Sequence, residues 1–320
     1  MKEKKKFSLK DFFILLFIIV LLSASFFFIH RYYNQTQDIR EEKHVIQEVK
    51  QKAIKPIESL DNIDINNKQV YEEYKEVDWN YLFELNSDTI GWIRFLDNSD
   101  LKDINFPITQ TDNNTDYLYR PFTYKDSPID KPSKFGYKMG TIFYNFRNSS
   151  DFTDLHSTLY GHMFYEDDAM QFSPLKNFSL HYFTQEELNK KANKEVNQYF
   201  QIYKPNFDDV EQWKNDKTTK IRTDSILVYK LFGVNEGVNA DEYGGYLGID
   251  NKEMYNKYIM NVIENSNYDF KISKEDLLNK TPSLLTLYTC RGNKDNFYNF
   301  YNDKRIFVNG YVYHIEKPNY

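Results

Sequence analysis

The chain has 320 residues with a formal net charge of −6, and 18% of its residues are aromatic. The first ten residues contain five lysines and one glutamate, so the remainder carries a net charge of about −10. A protein that binds nucleic acid through its phosphates needs a basic surface. The charge balance therefore excludes nucleic acid as an expected partner.

An uncharged apolar run at residues 12–29 is long enough to be a membrane-span candidate. Five lysines precede it and Arg31 follows it, a bias that predicts a cytoplasmic N-terminus and an extracellular remainder. A cleaved signal peptide is the alternative, because Ser23-Ala24-Ser25 resembles a small-residue cleavage site, but four more apolar residues follow it. We predict a cytoplasmic tail, a transmembrane signal anchor, a stalk with a linker, and an extracellular domain. Their predicted bounds are residues 1–11, 12–29, 30–76 and 77–320.

Short runs with strand propensity follow a predicted amphipathic helix at residues 77–86. Turn residues separate these runs, a pattern typical of a β-barrel or a sandwich. The runs begin at Thr89, Phe106, Gly140, Ser157, Ser225, Ser283 and Arg305. Two helical patterns interrupt them, one at residues 184–200 with a capping-box spacing at its start, and one at residues 251–266 with an apolar face. The sequence predicts a mainly β domain with helical insertions.

Cys290 is the single cysteine of the chain, and it closes a run of alternating apolar residues. An extracellular cysteine without a partner in its own chain indicates an intermolecular bridge, a reactive thiol or a buried small hydrophobe. His162 ends another predicted strand directly after Gly161, and Arg305 begins the strand that follows Cys290. Each alone has a structural interpretation. Together they suit nucleophilic chemistry, because a nearby imidazolium or guanidinium favours the thiolate.

The order of these residues separates several classes of cysteine enzyme. Papain-like enzymes place the cysteine first, whereas His162 precedes Cys290 by 128 residues. Caspases have the order seen here but a shorter separation and a different local motif. A metal site has little support, since one cysteine and six scattered histidines give no paired-ligand spacing.

Several segments resemble the class B sortases, which are cysteine transpeptidases of Gram-positive bacteria. These segments follow one another along the chain in the order found in that family. "STLYGH" is similar to that family's histidine strand, "TLYTC" to its cysteine strand, and "KRIFVNGYV" to the strand that opens with its essential arginine. The resemblance runs from about Asn86 to Ile315 and includes "NSDTIGWI", "DINFPITQTDNNTDYL" and "GTIFYNFRN". It implies a sortase-type eight-stranded β-barrel with N-terminal helices and a helix in the long loop before the cysteine strand.

The resemblance also implies an activity. A membrane-anchored sortase cleaves a C-terminal sorting signal after threonine through a thioester, and it transfers the acyl group to an amine of peptidoglycan or of a pilin. The implied partners are secreted proteins with such a signal and the acceptor amine, and no metal or organic cofactor is needed. Two alternatives stay open at this point: a surface cysteine peptidase, in which water resolves the thioester, and a non-catalytic envelope scaffold.

By resemblance, His162, Cys290 and Arg305 occupy the catalytic positions. Arginine cannot act as a base at physiological pH, so its implied role is electrostatic. The residues implied for peptide binding are Asn114, Leu118, Tyr246, Leu247, Tyr288 and Arg291, the last through its backbone amide.

The sequence departs from the family at Tyr288, where serine is usual. Side chains alternate along a strand, so Tyr288 shares a face with Cys290. We expect Tyr288 either to restrict the residue accepted near the scissile threonine, opposite Tyr246 and Leu247, or to pack under the loop at residues 291–303. That loop is longer than the resemblance predicts, and an insertion of roughly thirty extra residues, around 181–222, follows the histidine strand.

Overall fold

The structure is a computed structural model, and it describes most of the chain. The described residues are 9–57, 69–123, 140–163, 170–237, 247–290 and 304–318. Their strands are β1 (Ile54–Pro56), β2 (Lys75–Val77), β3 (Thr89–Phe95), β4 (Asn105–Thr109), β5 (Phe143–Tyr144), β6 (His156–Tyr160), β7 (Tyr199–Pro205), β8 (Thr223–Gly237), β9 (Leu284–Cys290) and β10 (Arg305–Glu316). Their α-helices are α1 (Leu9–Ala53), α2 (Trp79–Leu85), α3 (Asp116–Tyr119), α4 (Gln185–Ala192), α5 (Phe207–Asn215), α6 (Lys252–Glu264) and α7 (Lys274–Lys280).

Within these ranges, eight of the strands close a barrel in the order β10-β8-β7-β3-β4-β5-β6-β9. The β4–β5 and β6–β9 pairs are parallel, and the other neighbouring pairs are antiparallel. Strands β1 and β2 form a separate two-stranded sheet. The predicted eight-stranded barrel is confirmed, as are the helices before it and the helix, α6, between β8 and the cysteine strand.

Alternating apolar side chains explain how this sequence fills a barrel. Leu285 and Leu287 of β9 and Ile306 and Val308 of β10 are all fully buried in one cluster with side chains from the other barrel strands. The neighbouring position Leu284 points to the opposite face, where it packs in a second cluster with α6 and α7. Both faces of β9 are therefore covered along most of its length, which fixes the position of its end.

The segment at residues 181–222 differs from the prediction. The capping box is present, since Thr184 and Glu187 bond to each other as expected, but α4 ends at Ala192. Residues Tyr199–Pro205 form β7, which pairs with β3 on one side and with β8 on the other. The aromatic run there has high strand propensity and gains two strand partners. Residues Tyr199–Pro205 are therefore an integral part of the barrel and do not belong to the expected insertion.

Helix α1 contains the predicted span and continues into the domain. Its apolar part, Leu9–His30, is long enough to cross a membrane and is not buried against the rest of the protein. At its other end Val49 and Ala53 are buried against the barrel, and Lys50 Nζ lies 3.5 Å from the centre of the Phe106 ring. The end of the predicted stalk thus packs on the domain, while the division at residue 77 stays a prediction.

A buried polar network joins α6 to three barrel strands. Thr286 donates its hydroxyl proton to Asn309 Oδ1 (2.6 Å), and Tyr258 donates to the same oxygen (2.8 Å). His156 Nε2 lies 2.9 Å from Thr286 Oγ1. Because the hydroxyl proton of Thr286 is already committed, Nε2 of His156 is the donor in this contact. Burial favours the neutral form of this imidazole and lowers the pKa of His156 to about 3.

This network predicts a loss of stability in mild acid. His156 has an ordinary pKa near 6.5 in the unfolded chain, so the unfolded state binds the proton first as the pH falls. The stabilisation of the folded state by neutral His156 is complete above about pH 6.5 and declines as the pH falls towards 3. The free energy of unfolding is therefore about 2 kcal/mol lower at pH 5 than at pH 8. Thermal unfolding of the wild type and of His156→Gln across that range measures it. Equal pH dependence in the two proteins would contradict the assignment.

Candidate active site

The strand register brings the three predicted catalytic positions to one end of the barrel. Strands β6 and β9 are parallel and pair as far as Tyr160 with Tyr288. His162 and Cys290 each follow these residues by two positions. On the other side of β9, Cys290 pairs directly with Arg305 at the start of β10. An imidazole, a thiol and a guanidinium thus arise from three adjacent strand ends.

His162 is held by contacts to both its backbone and its ring. Its backbone N–H donates to Gln171 Oε1 (2.6 Å), and its carbonyl accepts from the Phe172 N–H (3.0 Å). The ring donates from Nε2 to the Leu118 carbonyl in α3 (2.7 Å). Burial lowers the pKa of His162, and the bond to the Leu118 carbonyl opposes that effect in part. The resting imidazole is therefore neutral at physiological pH.

Gly161 and Gly140 allow the chain segments around His162 to approach closely. A Cβ atom at Gly161 would lie 2.6 Å from the Phe172 ring. Gly140 has a positive φ of 63°, and a Cβ there would lie 2.6 Å from the Leu118 carbonyl oxygen. This is the oxygen that accepts from His162. Gly161 therefore permits the close approach of a phenyl ring in the core.

We expect Gly161→Ala to impair both stability and activity. The added methyl group must displace the buried Phe172 ring or the chain that leads into His162, an overpacking that costs about 1–3 kcal/mol. Differential scanning calorimetry measures the stability change, and acylation kinetics measures the effect on the site. The double variant Gly161→Ala/Phe172→Leu is the control, because a smaller neighbour should restore part of both losses. Wild-type behaviour of Gly161→Ala would contradict the close contact.

The structure describes Cys290 through its backbone. The three residues before it are Leu287, which is fully buried, Tyr288, which is half-buried, and Thr289, which is 1% exposed. The register places the backbone of Cys290 directly opposite that of Arg305. In the described part of the chain, no group of three or more His, Cys, Asp or Glu side chains is arranged to hold a metal ion.

Arg305 and Tyr288 contact each other beside this pair. Arg305 donates from Nε to the Tyr288 hydroxyl (3.2 Å) and from Nη1 to the Lys304 carbonyl (3.2 Å). The Tyr288 ring lies edge-on between Tyr160 and Phe307, with ring centres 5.1 and 5.2 Å apart. Tyr288 lies on the face opposite Leu287, as the strand alternation predicts.

The predicted peptide-binding residues have different surroundings. Asn114 Oδ1 accepts from the Phe146 backbone N–H (3.0 Å), which ties the loop before α3 to the turn after β5. Leu118 contacts His162 through its carbonyl. Leu247 packs against the cluster under α6. Tyr246 and Arg291 lie outside the described residues, as does the long loop at residues 291–303. The roles of all six residues in peptide binding stay predictions.

Sequence reasoning missed two residues that hold His162 in place. Gln171 and Phe172 lie nine and ten residues after His162, in a segment with no recognisable motif. Gln171 is 2% exposed and has a positive φ of 42°, which is uncommon for a residue other than glycine. Nothing in the sequence marks this conformation, so no local signal could have found the contact.

Comparisons with known proteins agree with this architecture. No protein-family model matches the chain. The structure of sortase B from Bacillus anthracis in complex with AAEK1 has a TM-score of 0.52 at 17% identity, covering 88% of this chain and 100% of that chain. A class B sortase of Streptococcus pyogenes involved in pilus biogenesis has a TM-score of 0.45 at 19% identity, covering 75% of this chain and 98% of that chain. The closed barrel is a sortase fold.

One curated relative indicates which class of sortase the chain resembles. Sortase B of Listeria monocytogenes is 29% identical over 112 residues, which are 35% of this chain and 37% of the relative. The aligned region thus spans little more than a third of that relative's length. Together with the fold, this relative supports a class B sortase.

Proposed function

We propose that this chain is a membrane-anchored cysteine transpeptidase that cleaves a C-terminal sorting signal after threonine. The observation that carries the proposal is the register of β6, β9 and β10, which gathers His162, Cys290 and Arg305 at one end of the barrel. The similarity to sortase B of Listeria monocytogenes supports the same chemistry.

In the first half of the reaction, the Cys290 thiol passes its proton to His162, and the resulting thiolate attacks the carbonyl carbon of the threonine. The carbonyl electrons move to oxygen, and Arg305 stabilises the resulting oxyanion together with the backbone amide of Arg291. The tetrahedral intermediate then collapses, the C–N bond breaks, and the leaving amine takes a proton from His162. The product is a thioester on Cys290. Each of these residues is assigned its role by position.

In the second half, an amine attacks the thioester carbonyl after losing a proton to His162. The C–S bond breaks, the thiolate leaves, and a new amide joins the threonine to the acceptor. The proposed acceptor is an amine of peptidoglycan or of a pilin. Asn114, Leu118, Tyr246, Leu247 and Tyr288 are the proposed lining of the peptide groove. These steps need no metal or organic cofactor, because thiol, imidazole and guanidinium supply the nucleophile, the acid–base group and the charge.

The proposed location is the cell membrane, with the catalytic domain outside. Five lysines before the apolar segment favour a cytoplasmic N-terminus. The exposed apolar part of α1, Leu9–His30, is compatible with a single-pass anchor. We infer an extracellular enzyme tethered near the wall that holds its acceptor.

One experiment separates the transpeptidase from both alternatives. The full-length chain in detergent is incubated with a panel of sorting-signal peptides, with and without an amine such as triglycine, and the products are measured by mass spectrometry. A transpeptidase forms the ligated product when the amine is present. If the peptides are hydrolysed and the added amine forms no ligated product, the result would indicate a peptidase. If no peptide of the panel is cleaved, it would indicate a scaffold. Cys290→Ala is the matched control.

A further inference from the structure

The contact between Tyr288 and Arg305 joins two residues that are diagonal neighbours on β9 and β10. Tyr288 pairs with Phe307, and Arg305 lies two positions before Phe307, directly opposite Cys290. Diagonal neighbours on one face are about 7–8 Å apart, a distance that aromatic and long side chains can bridge. The observed bond runs from Arg305 Nε to the Tyr288 hydroxyl at 3.2 Å. A serine at this position would be too short to make it.

The Tyr288 ring is held by a row of aromatic residues across four strands. Phe143 of β5 stacks on Tyr160 of β6, with ring centres 5.1 Å apart. Tyr160 then meets Tyr288 edge-on, and Tyr288 meets Phe307 in the same way. Phe143 and Phe307 are buried, while the two tyrosines between them are half-buried. The row therefore fixes the direction in which the Tyr288 hydroxyl points.

We infer that Tyr288 is a positioning residue that orients the Arg305 guanidinium toward the reacting carbonyl at Cys290. A guanidinium has a planar arrangement of donors, so its usefulness to an oxyanion depends on the orientation of the plane. Contacts at both Nε and Nη1 fix that plane. This inference rests on the proposed function, and it gives Tyr288 a task that is distinct from selecting the peptide.

The variant that isolates this role is Tyr288→Phe, which removes the hydroxyl and keeps the ring between Tyr160 and Phe307. We expect about a tenfold lower kcat for acylation, since one hydrogen bond to a charged group is lost, with KM and melting temperature close to wild type. Peptide preference should also stay unchanged, because the ring still occupies its place. Tyr160→Phe is the matched control, because it removes a hydroxyl from another tyrosine of the same aromatic row. That hydroxyl accepts from Asn145 (2.8 Å), and its loss should leave kcat close to wild type.

A second measurement needs no substrate. Cys290 is the single cysteine, so the pH dependence of its alkylation by iodoacetamide in the full-length chain in detergent gives the pKa of this thiol. A guanidinium held beside a thiol favours the thiolate. Tyr288→Phe and Arg305→Gln should each raise the measured pKa of Cys290. In the double variant, Tyr288→Phe should add nothing to Arg305→Gln, because the two changes remove the same contact.

The outcomes distinguish this inference from the proposed function. If the wild type forms no acyl-enzyme with any peptide, the proposed function is wrong, and the alkylation cycle still decides whether Tyr288 acts through Arg305. Equal thiol pKa and equal kcat in Tyr288→Phe and wild type would overturn the inference. So would an additive effect of Tyr288→Phe in the Arg305→Gln background, since Tyr288 would then act independently of Arg305.

Discussion

Cys290→Ala is expected to lower acyl transfer by at least about 10⁴-fold, because it removes the nucleophile that the whole reaction depends on. The chain contains no second thiol that could substitute for it. The barrel should stay folded, since β9 is held on both faces by side chains that the substitution leaves in place. Transfer of a labelled sorting-signal peptide to an amine measures the loss.

The control for Cys290→Ala is the melting temperature together with Cys290→Ser. The serine variant keeps a hydroxyl but has no thiolate at physiological pH, so it should be nearly as inactive as the alanine variant. Substantial transfer by either variant would show that the thiol is not the nucleophile. A large drop in melting temperature would instead assign Cys290 to packing, which is the structural interpretation of this residue.

Arg305→Lys is expected to lower kcat/KM for acylation by about 10²–10³-fold, the usual cost of removing one donor to an oxyanion. Lysine keeps the positive charge but loses the planar set of donors that contacts Tyr288 and the Lys304 carbonyl. The measurement is single-turnover acylation with a cleavable peptide.

Lys304→Ala is the matched control for this arginine. It removes an exposed neighbouring charge but keeps the backbone carbonyl that accepts from Arg305. We expect it to remain close to wild type in kcat/KM. If Arg305→Lys were fully active, a positive charge alone would suffice and the donor geometry would be irrelevant. If both variants were equally impaired, the effect would come from a general disturbance of the start of β10 and not from the guanidinium.

The barrel could be predicted from the sequence where a strand carries its own pattern. Strands β3, β6, β8, β9 and β10 are apolar runs bounded by turn residues, and each lies where its run predicts. Strand β7 was missed because it follows the capped helix α4 after a short polar segment, and the helical signal masks it. Its strand conformation depends on pairing with β3 and β8, which are distant in sequence.

The candidate site also has residues that the sequence could predict and contacts that it could not. His162, Cys290 and Arg305 could be found because each closes or opens a recognisable strand. The contact from His162 to the Leu118 carbonyl could not, since a backbone oxygen leaves no trace in the sequence. The link from Arg305 to Tyr288 was equally hidden, because it depends on the antiparallel register of β9 and β10. Sequence motifs therefore identified the proposed reacting groups, while long-range pairing determines their neighbours.

The proposed thioester is detected most directly by the intact mass of the full-length protein in detergent after incubation with sorting-signal peptides. We expect an adduct with the mass of the peptide fragment that ends in threonine, less one water. It should be attached at Cys290 and released by hydroxylamine, as a thioester is. Peptide mapping must place it on the segment that contains Cys290. An adduct that forms equally on Cys290→Ala, or no adduct with any peptide of the panel, would contradict a cysteine acyl-transfer enzyme.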